Sequence, residues 1–329
     1  MIEYHITSWL RSALSYRGTV LPRVLLRVAM LPLITALLIT FAGGWVQQLN
    51  LNALGHTLIG GALGFVLVFR NNASYDRYWE GRKHWGGIVN ATRNLARAAR
   101  SYGGDLGALV PALCAFPHAL KRQLRREDPR GDLVAHLGAA GTARALHHPN
   151  PALVVNLMMS EWLHAATRAG AVSPEQGLRI EALIAELMDH QGACERILNT
   201  PVPFAHAIHV RQLLLLYLVT LPLVLIPVLG WTSLFVISVL GLGMLGIEEA
   251  GIEIEDPFGH DPNDLPLNRI CDVICRDVHA LVTLQDASPG ADSGASASGR
   301  AGAGEGAPLS PCDESVAPHP RTHTLAPLQ

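Results

Sequence analysis

The sequence predicts an all-α membrane protein in which four transmembrane helices carry a helical cytoplasmic domain. Three observations predict it. Of 329 residues, 49% are hydrophobic and 16% charged, against roughly a quarter charged in soluble domains, and the mean hydropathy is positive. The apolar residues gather in stretches long enough to cross a bilayer. Lys and Arg gather between those stretches and avoid the short links. A formal net charge of −2, with no long basic block interleaved with aromatics, argues against a nucleic-acid partner.

Residues 1–28 carry Arg11, Arg17, Arg23 and Arg27 ahead of the first apolar run and predict a cytoplasmic amphipathic segment rather than a cleaved signal. Within it, Trp9, Leu10, Ala13 and Leu14 suit a short helix lying on the inner membrane surface. "AMLPLITALLITFAGGWV", within 29–46, is the first span, and "LGHTLIGGALGFVLVF", 54–69, is the second. At 1.5 Å per residue the second is about 24 Å long, slightly short of a bilayer core. The apolar run 213–247 would overshoot as one helix. Pro222, Pro227 and "GWTS" at 230–233 divide it into a third and a fourth span joined by a tight hairpin.

Charge sets the orientation. Links 47–53 and 230–233 hold no Lys or Arg, whereas 70–211 holds 17. The positive-inside bias therefore places both termini and the middle region in the cytoplasm of a bacterial inner membrane, with Trp45 and Trp231 at the outer interface. The five cysteines (114, 194, 271, 275 and 312) form no paired framework and suit a reducing side.

"GFVLVFRNNASYDRYWEGRKHW", 64–85, passes from apolar to charged without a Pro. One continuous helix from Leu54 to about Arg100 is expected, half in lipid and half in cytosol. Gly60, Gly61, Ala62 and Gly64 permit close helix approach. Gly61, Phe65 and Phe69 recur at i, i+4 and i+8, as in a constriction and equally as in a packed helix seam. Asp76 and Glu80 call for cations across helices, which Arg77, Arg82 and Lys83 supply.

The cytoplasmic domain, 70–212, reads as helices broken at Pro111, Pro117, Pro129, 147–151 and Pro174. Its clearest helix is 173–198, with a Ser173 cap, Pro174 at the first position and the stripe Leu178, Ile180, Leu183, Ile184, Leu187 and Met188. An acidic segment, 248–284, follows the fourth span, and 285–329 has the composition of a disordered tail. Glu248, Glu249 and Glu253 open the acidic segment. Asp261 and Asp264 offer oxygens to a hard cation such as calcium, or simply cap a solvated turn. Cys271, Cys275 and His279 share one helix face, as soft-metal ligands or as buried small side chains. His206 and His209 stand near Arg211 at the mouth of the third span, as interface anchors or as a pH-sensitive gate. No Ser-His-Asp set, P-loop or dinucleotide fingerprint is present, so no enzyme is expected. Two other readings stay open: a non-conducting membrane scaffold, and a metal-dependent membrane hydrolase built on the 248–264 acids with His260.

"FVLVFRNNASYDRYWEGRKHWGGIVN", "NTPVPFAHAIH" and "GIEIEDPFGHDPNDLPLN" together resemble the bestrophin family, in that order and over roughly 1–285. The resemblance implies a homopentameric channel that passes small monovalent ions through a central pore in the membrane lipid. It implies a hydrophobic neck gate at Gly61, Phe65 and Phe69, Gly61 holding a position where the family carries a larger apolar residue. It implies a cytoplasmic aperture at Ile180, or at Leu178 beside it, and a calcium clasp at Asp261 and Asp264. The clasp departs from the family pattern, with His260, Pro262 and Asn263 standing where animal members carry acids, so calcium gating is not carried over. Chloride and cations both occur as permeant ions in the family, and vestibule charge from Glu248, Glu249 and Glu253 would favour cations.

Overall fold

The computed structural model describes residues 16, 18–49 and 51–286, so the surface helix expected around Trp9 and the tail beyond 286 lie outside it. Among the described residues there are nine α-helices and no strand. They are α1 (Leu21–Gln48), α2 (Ala53–Ser101), α3 (Leu106–Leu124), α4 (Arg130–Leu146), α5 (Pro151–Arg168), α6 (Pro174–Asn199), α7 (Phe204–Leu229), α8 (Ser233–Glu255) and α9 (Leu267–Asp286). α1, α2 and the stretch Phe204–Glu255 are long and apolar enough to cross a membrane.

That last stretch doubles back. A 3-10 turn, Gly230–Thr232, separates α7 from α8, and Gly230 has φ +52°, a conformation that favours a residue without Cβ. Ser233 Oγ donates to the Gly230 carbonyl at 2.6 Å and fixes the corner. Arg211 near the start of α7 then meets Glu248 near the end of α8 at 2.8 Å, so the two helices are antiparallel. Pro222 and Pro227 stay inside α7, where packing holds the helix together around the missing donors.

α2 is the axis of the fold. The expected continuous helix is present, opened by Asn52, whose side chain accepts the Leu54 amide at 2.9 Å. Its 49 residues make a rod of about 74 Å. Its apolar half packs Leu63 and Leu67 against Leu31 of α1, Leu214, Leu218 and Leu221 of α7, and Ile237 of α8. This cluster is small, and Phe41 and Phe235 are exposed, as suits a bundle whose outer surface is met by lipid tails. The polar half enters a second, larger core through Trp85, Ile88 and Leu95, against Leu113, Phe116 and Leu120 of α3, Met159 of α5, Ile184 and Leu187 of α6, and Ile274 of α9.

α6 runs antiparallel along the polar half of α2. Arg77 donates to the Thr200 and Ile197 carbonyls at 2.6 and 2.7 Å, Arg196 meets Glu80 at 2.9 Å, and His84 meets His190 at 3.1 Å. Glu80 thus takes its cation from α6, while Arg77 satisfies helix-end carbonyls. Ser173 and Gln176 cap α6 reciprocally, with Pro174 at its first turn.

Several boundaries move. α1 begins at Leu21, so Arg23 and Arg27 sit on the helix rather than before it. Pro111 and Pro117 lie inside α3 and do not break it. Pro129 caps α4 and Pro151 opens α5, as breakers do. α4 turns at Gly138, whose φ is +69°.

Of the small residues in the apolar half, Gly60 makes the close approach: a Cβ there would overlap the ring and hydroxyl of Tyr217 on α7, whereas one on Gly61 or Gly64 meets nothing within 4 Å. Tyr217 also stacks on His56, with ring centroids 4.6 Å apart. Gly60→Val is expected to cost about 1–3 kcal/mol by overpacking this seam, and Gly61→Val close to nothing; thermal melts in detergent measure the contrast.

Candidate functional site

The exposed face of α2 is the first component. Gly61, Phe65 and Phe69 all face away from the rest of the chain, and both phenylalanines are 70% exposed. Leu63, Leu67 and Arg70 occupy the opposite, buried face. An i, i+4, i+8 spacing stacks the three positions along the rod at intervals of about 6 Å. The structure therefore brings them together as an unpartnered stripe, smooth at Gly61 and aromatic below. This subunit does not bury them as a helix seam.

The second component is a collar of arginines where the apolar half ends. Arg70 and Glu248 are 3% and 4% exposed and meet at 3.0 Å, and Arg211 binds the same carboxylate oxygen at 2.8 Å. Arg27 reaches Glu249 at 2.8 Å, and Arg23 lies 3.4 Å from Glu253. The Glu253 carboxylate also accepts from Asn263 at 2.9 Å. Glu248, Glu249 and Glu253 are therefore not vestibule charge. All three are buried within the subunit and neutralised by Arg, because a carboxylate at the edge of an apolar bundle is stable only when paired. The pairing was missed from sequence, although a signal existed: Arg23 and Arg27 on α1 share the i, i+4 step of Glu249 and Glu253 on α8.

The third component is the loop from Asp256 to Pro266. Phe258 is fully buried, and it and Pro257 pack against Gly81 of α2, where a Cβ would crowd them. Arg125 donates to the Phe258 carbonyl at 3.0 Å. Asp264 Oδ2 accepts the Asp261 amide at 2.7 Å, while Asp261 Oδ1 accepts from Arg23, also at 2.7 Å. These residues do not fit a calcium ion: a guanidinium already stands on one carboxylate, and the other is turned inward onto backbone. Burial pushes the Asp264 carboxyl up from 3.8 to about 6, helped by Asp261, Asp256 and Glu253 nearby. His260 Nε2 lies 2.7 Å from Glu127 Oε1, a carboxylate outside the 248–264 segment.

Ile180 is fully buried in the domain core and cannot line an aperture; helix periodicity turns Leu178 out instead, 74% exposed. Leu178 lies near the start of α6, far from the Arg77 level where that helix ends. Counting rises along α2 and α6 puts it roughly 40 Å beyond Phe69. Cys271, Cys275 and His279 do not assemble as a trio: Cys271 is fully buried, and Cys275 faces other helices. His206 and His209 are exposed at the start of α7.

An apolar helical bundle, a charge-neutral collar and a long helix crossing both define a helical integral membrane protein of channel-like architecture. The family model described as Bacterial/Fungal Bestrophin protein matches residues 1–280, and the chain belongs to that family. A voltage-dependent anion channel-forming protein of Nostoc is 36% identical over 284 residues, spanning 84% of this chain and 92% of its own. Another from Escherichia coli K12, also named as voltage-dependent anion channel-forming, is 30% identical over 272 residues, spanning 81% and 89%. The crystal structure of a bacterial bestrophin homologue from Klebsiella pneumoniae superposes with a TM-score of 0.76 at 31% identity, covering 79% of this chain and 98% of that one.

Glu248→Ala removes the shared carboxylate and leaves buried Arg70 with only the longer contact to Glu255 at 3.9 Å, so a loss of about 3–5 kcal/mol is expected. Arg211→Ala, which removes a half-exposed partner, should cost about 1 kcal/mol or less; thermal denaturation in detergent separates the two. Asp264 adds a pH term of opposite sign to that of a paired carboxylate. Its folded pKa lies above the unfolded one, so its contribution is full below pH 3.8 and is lost as pH rises through about 6. Asp264→Asn should remove that part of the fall, read as the wild-type-minus-variant difference in melting temperature between pH 4.5 and 7.5.

Proposed function

We propose that the protein is an ion channel that assembles as a homopentamer around α2 and passes small monovalent anions along the fivefold axis. The observation that carries the reading is the Gly61–Phe65–Phe69 stripe: an apolar face left open by the subunit on a helix whose other face is fully used. Five copies facing an axis give rings of phenylalanine with no group able to coordinate an ion. Such a neck gates by drying and wetting and by diameter. Gly61 leaves the first ring without side chains, so two aromatic rings form the barrier.

Leu178 supplies the second constriction in place of Ile180. Its isolation as an exposed leucine on a polar helix end supports this role. The anion preference is supported by the names of the Nostoc and Escherichia coli relatives and by the neutralisation of the α8 acids. With those carboxylates paired to arginine, the reason to favour cations disappears. Selectivity then falls to helix dipoles and to the positive edges of aromatic rings. No step is assigned to calcium.

In the proposed topology α1, the apolar half of α2, α7 and α8 cross an inner membrane, and both ends of the chain are cytoplasmic. The distribution of arginine supports it, as do Trp45 and Trp231, both exposed at the ends of the bundle remote from the helical domain.

Purified protein in liposomes under separate chloride and sodium gradients tests the reading. Flux should follow chloride, and the reversal potential should lie on the chloride side. Phe65→Ala and Phe69→Ala should each raise flux severalfold, and Gly61→Ile, which meets open space, should lower it without loss of stability. Leu178→Ala should alter flux or selectivity, whereas Ile180→Ala should chiefly destabilise the domain, by about 2–5 kcal/mol. A monomeric particle in detergent, or flux unchanged by both phenylalanine variants, would overturn it.

A further inference from the structure

We propose that His118, His136 and Cys275 form a binding site for one zinc-like divalent cation per subunit, fastening α9 to α3 and α4. The three side chains come from three different helices, and one donor atom from each lies within 4.8 Å of the others. A tetrahedral zinc with two nitrogens and a sulfur spaces its donors by about 3.3–3.6 Å, so small rotations of three side chains close the set. The two imidazoles already lie with centroids 5.0 Å apart and rings inclined at 42°, a disposition that lets both point at a common centre.

The surroundings favour a metal over a chance encounter. None of the three is fully buried and none fully exposed, so an ion has access yet is partly shielded. Asp132 Oδ2 lies 3.5 Å from His118 Nδ1, within a small shift of the contact by which a carboxylate orients a ligating imidazole, and Lys121 Nζ lies 3.4 Å from the same nitrogen. Lys121 and Arg122 hold that carboxylate at 3.2 and 2.8 Å, so the outer partner is itself fixed. Cys275 Sγ donates to the backbone carbonyl of Cys114, one turn before His118 on α3, at 4.0 Å, which sets the sulfur beside that helix. A thiolate is the form that binds metal. Soft sulfur with two imidazoles selects zinc over magnesium or calcium. Binding releases to solvent any proton still on the sulfur, and the fourth coordination position is left for water.

The site is unrelated to the pore stripe and to the acidic loop, and it corrects the one-helix trio: of Cys271, Cys275 and His279, only Cys275 contributes. Its expected consequence is mechanical. α9 is the last described helix, strongly amphipathic, and it packs on α2 and α3. A cation would pin it at its middle.

Full-length protein in detergent, purified without a polyhistidine tag and kept reduced by a non-thiol reagent, is titrated with cobalt(II) as a spectroscopic probe. Saturation at one equivalent per subunit is expected, with the strong visible bands of tetrahedral cobalt and a near-ultraviolet sulfur-to-cobalt band. Cys275→Ser should abolish the sulfur band, His136→Ala should weaken binding by more than about tenfold, and His279→Ala should change neither. Zinc should displace cobalt and shield Cys275 from alkylation in the wild-type protein, a readout that needs no variant to fold. Absence of the sulfur band in the wild type, its persistence in Cys275→Ser, or alkylation of Cys275 unaffected by zinc would overturn the site.

Discussion

The buried contact between Arg70 and Glu248 is the constraint on which the rest of the molecule depends. α2 must leave an apolar bundle and enter a domain core without a break, and at that border both helix faces are committed. Arg70 is buried at the crossing, and its charge is tolerable because Glu248 stands 3.0 Å away and Glu255 3.9 Å away. Glu248 in turn holds Arg211, so one carboxylate joins α2, α7 and α8 at a single level. Arg27 and Arg23 add α1 through Glu249 and Glu253. Buried ion pairs contribute little net stability compared with apolar packing, but they penalise every wrong register of the helices that carry them. A bundle with a small apolar core and much outward-facing surface has few other ways to fix its axial alignment.

The collar also decides what α2 can transmit. The helix is anchored at its apolar end by Tyr217 against Gly60, at the border by Arg70, and further along by Arg77, Glu80 and His84 against α6. Between these anchors the rod has no Pro and no non-helical residue. In the proposed assembly a displacement of the helical domain would reach Phe65 and Phe69 as a rotation or tilt of the helix, since no Pro or broken turn interrupts it between these anchors. That couples the proposed neck to the domain through covalent structure alone.

What could be read from the letters followed from periodicity and charge. The long second helix, the Gly230 hairpin and the cap at Ser173 rest on local rules, and local rules act wherever the chain goes. The apolar stripe of α6 was legible too, but whether Ile180 or Leu178 lay inside depended on which side of α6 met the core, two residues or about 200° apart on the helix. Pro111 and Pro117 misled because a proline's cost within a helix is offset when the helix is held by its neighbours, and α3 is buried on most of its surface. The acids near the end of α8 look free in the sequence because Arg70, Arg27 and Arg23 lie 178 to 230 residues away in the chain. Cys275 was noticed with residues of its own helix, whereas the structure sets it beside α3 and α4. Pairings between distant helices leave no periodic trace.

The same geometry bears on ion preference. A hydrophobic constriction does not itself choose a sign, since wetting it admits water and any small ion alike. The choice is then made by the field near the path, to which fixed charge, helix dipoles and aromatic ring edges all contribute. Had Glu248, Glu249 and Glu253 been free, fifteen carboxylates in a fivefold assembly would have repelled anions from the neck's inner mouth. Each is matched instead by a guanidinium within 3.4 Å, so their field falls off as that of a dipole. Arg27 and Arg211 are themselves only half covered, with 55% and 46% of their side chains exposed, whereas their partners Glu249 and Glu248 are buried. In the proposed assembly the arginines that hold the helices together thus also remove the barrier that the α8 acids would otherwise raise against an anion.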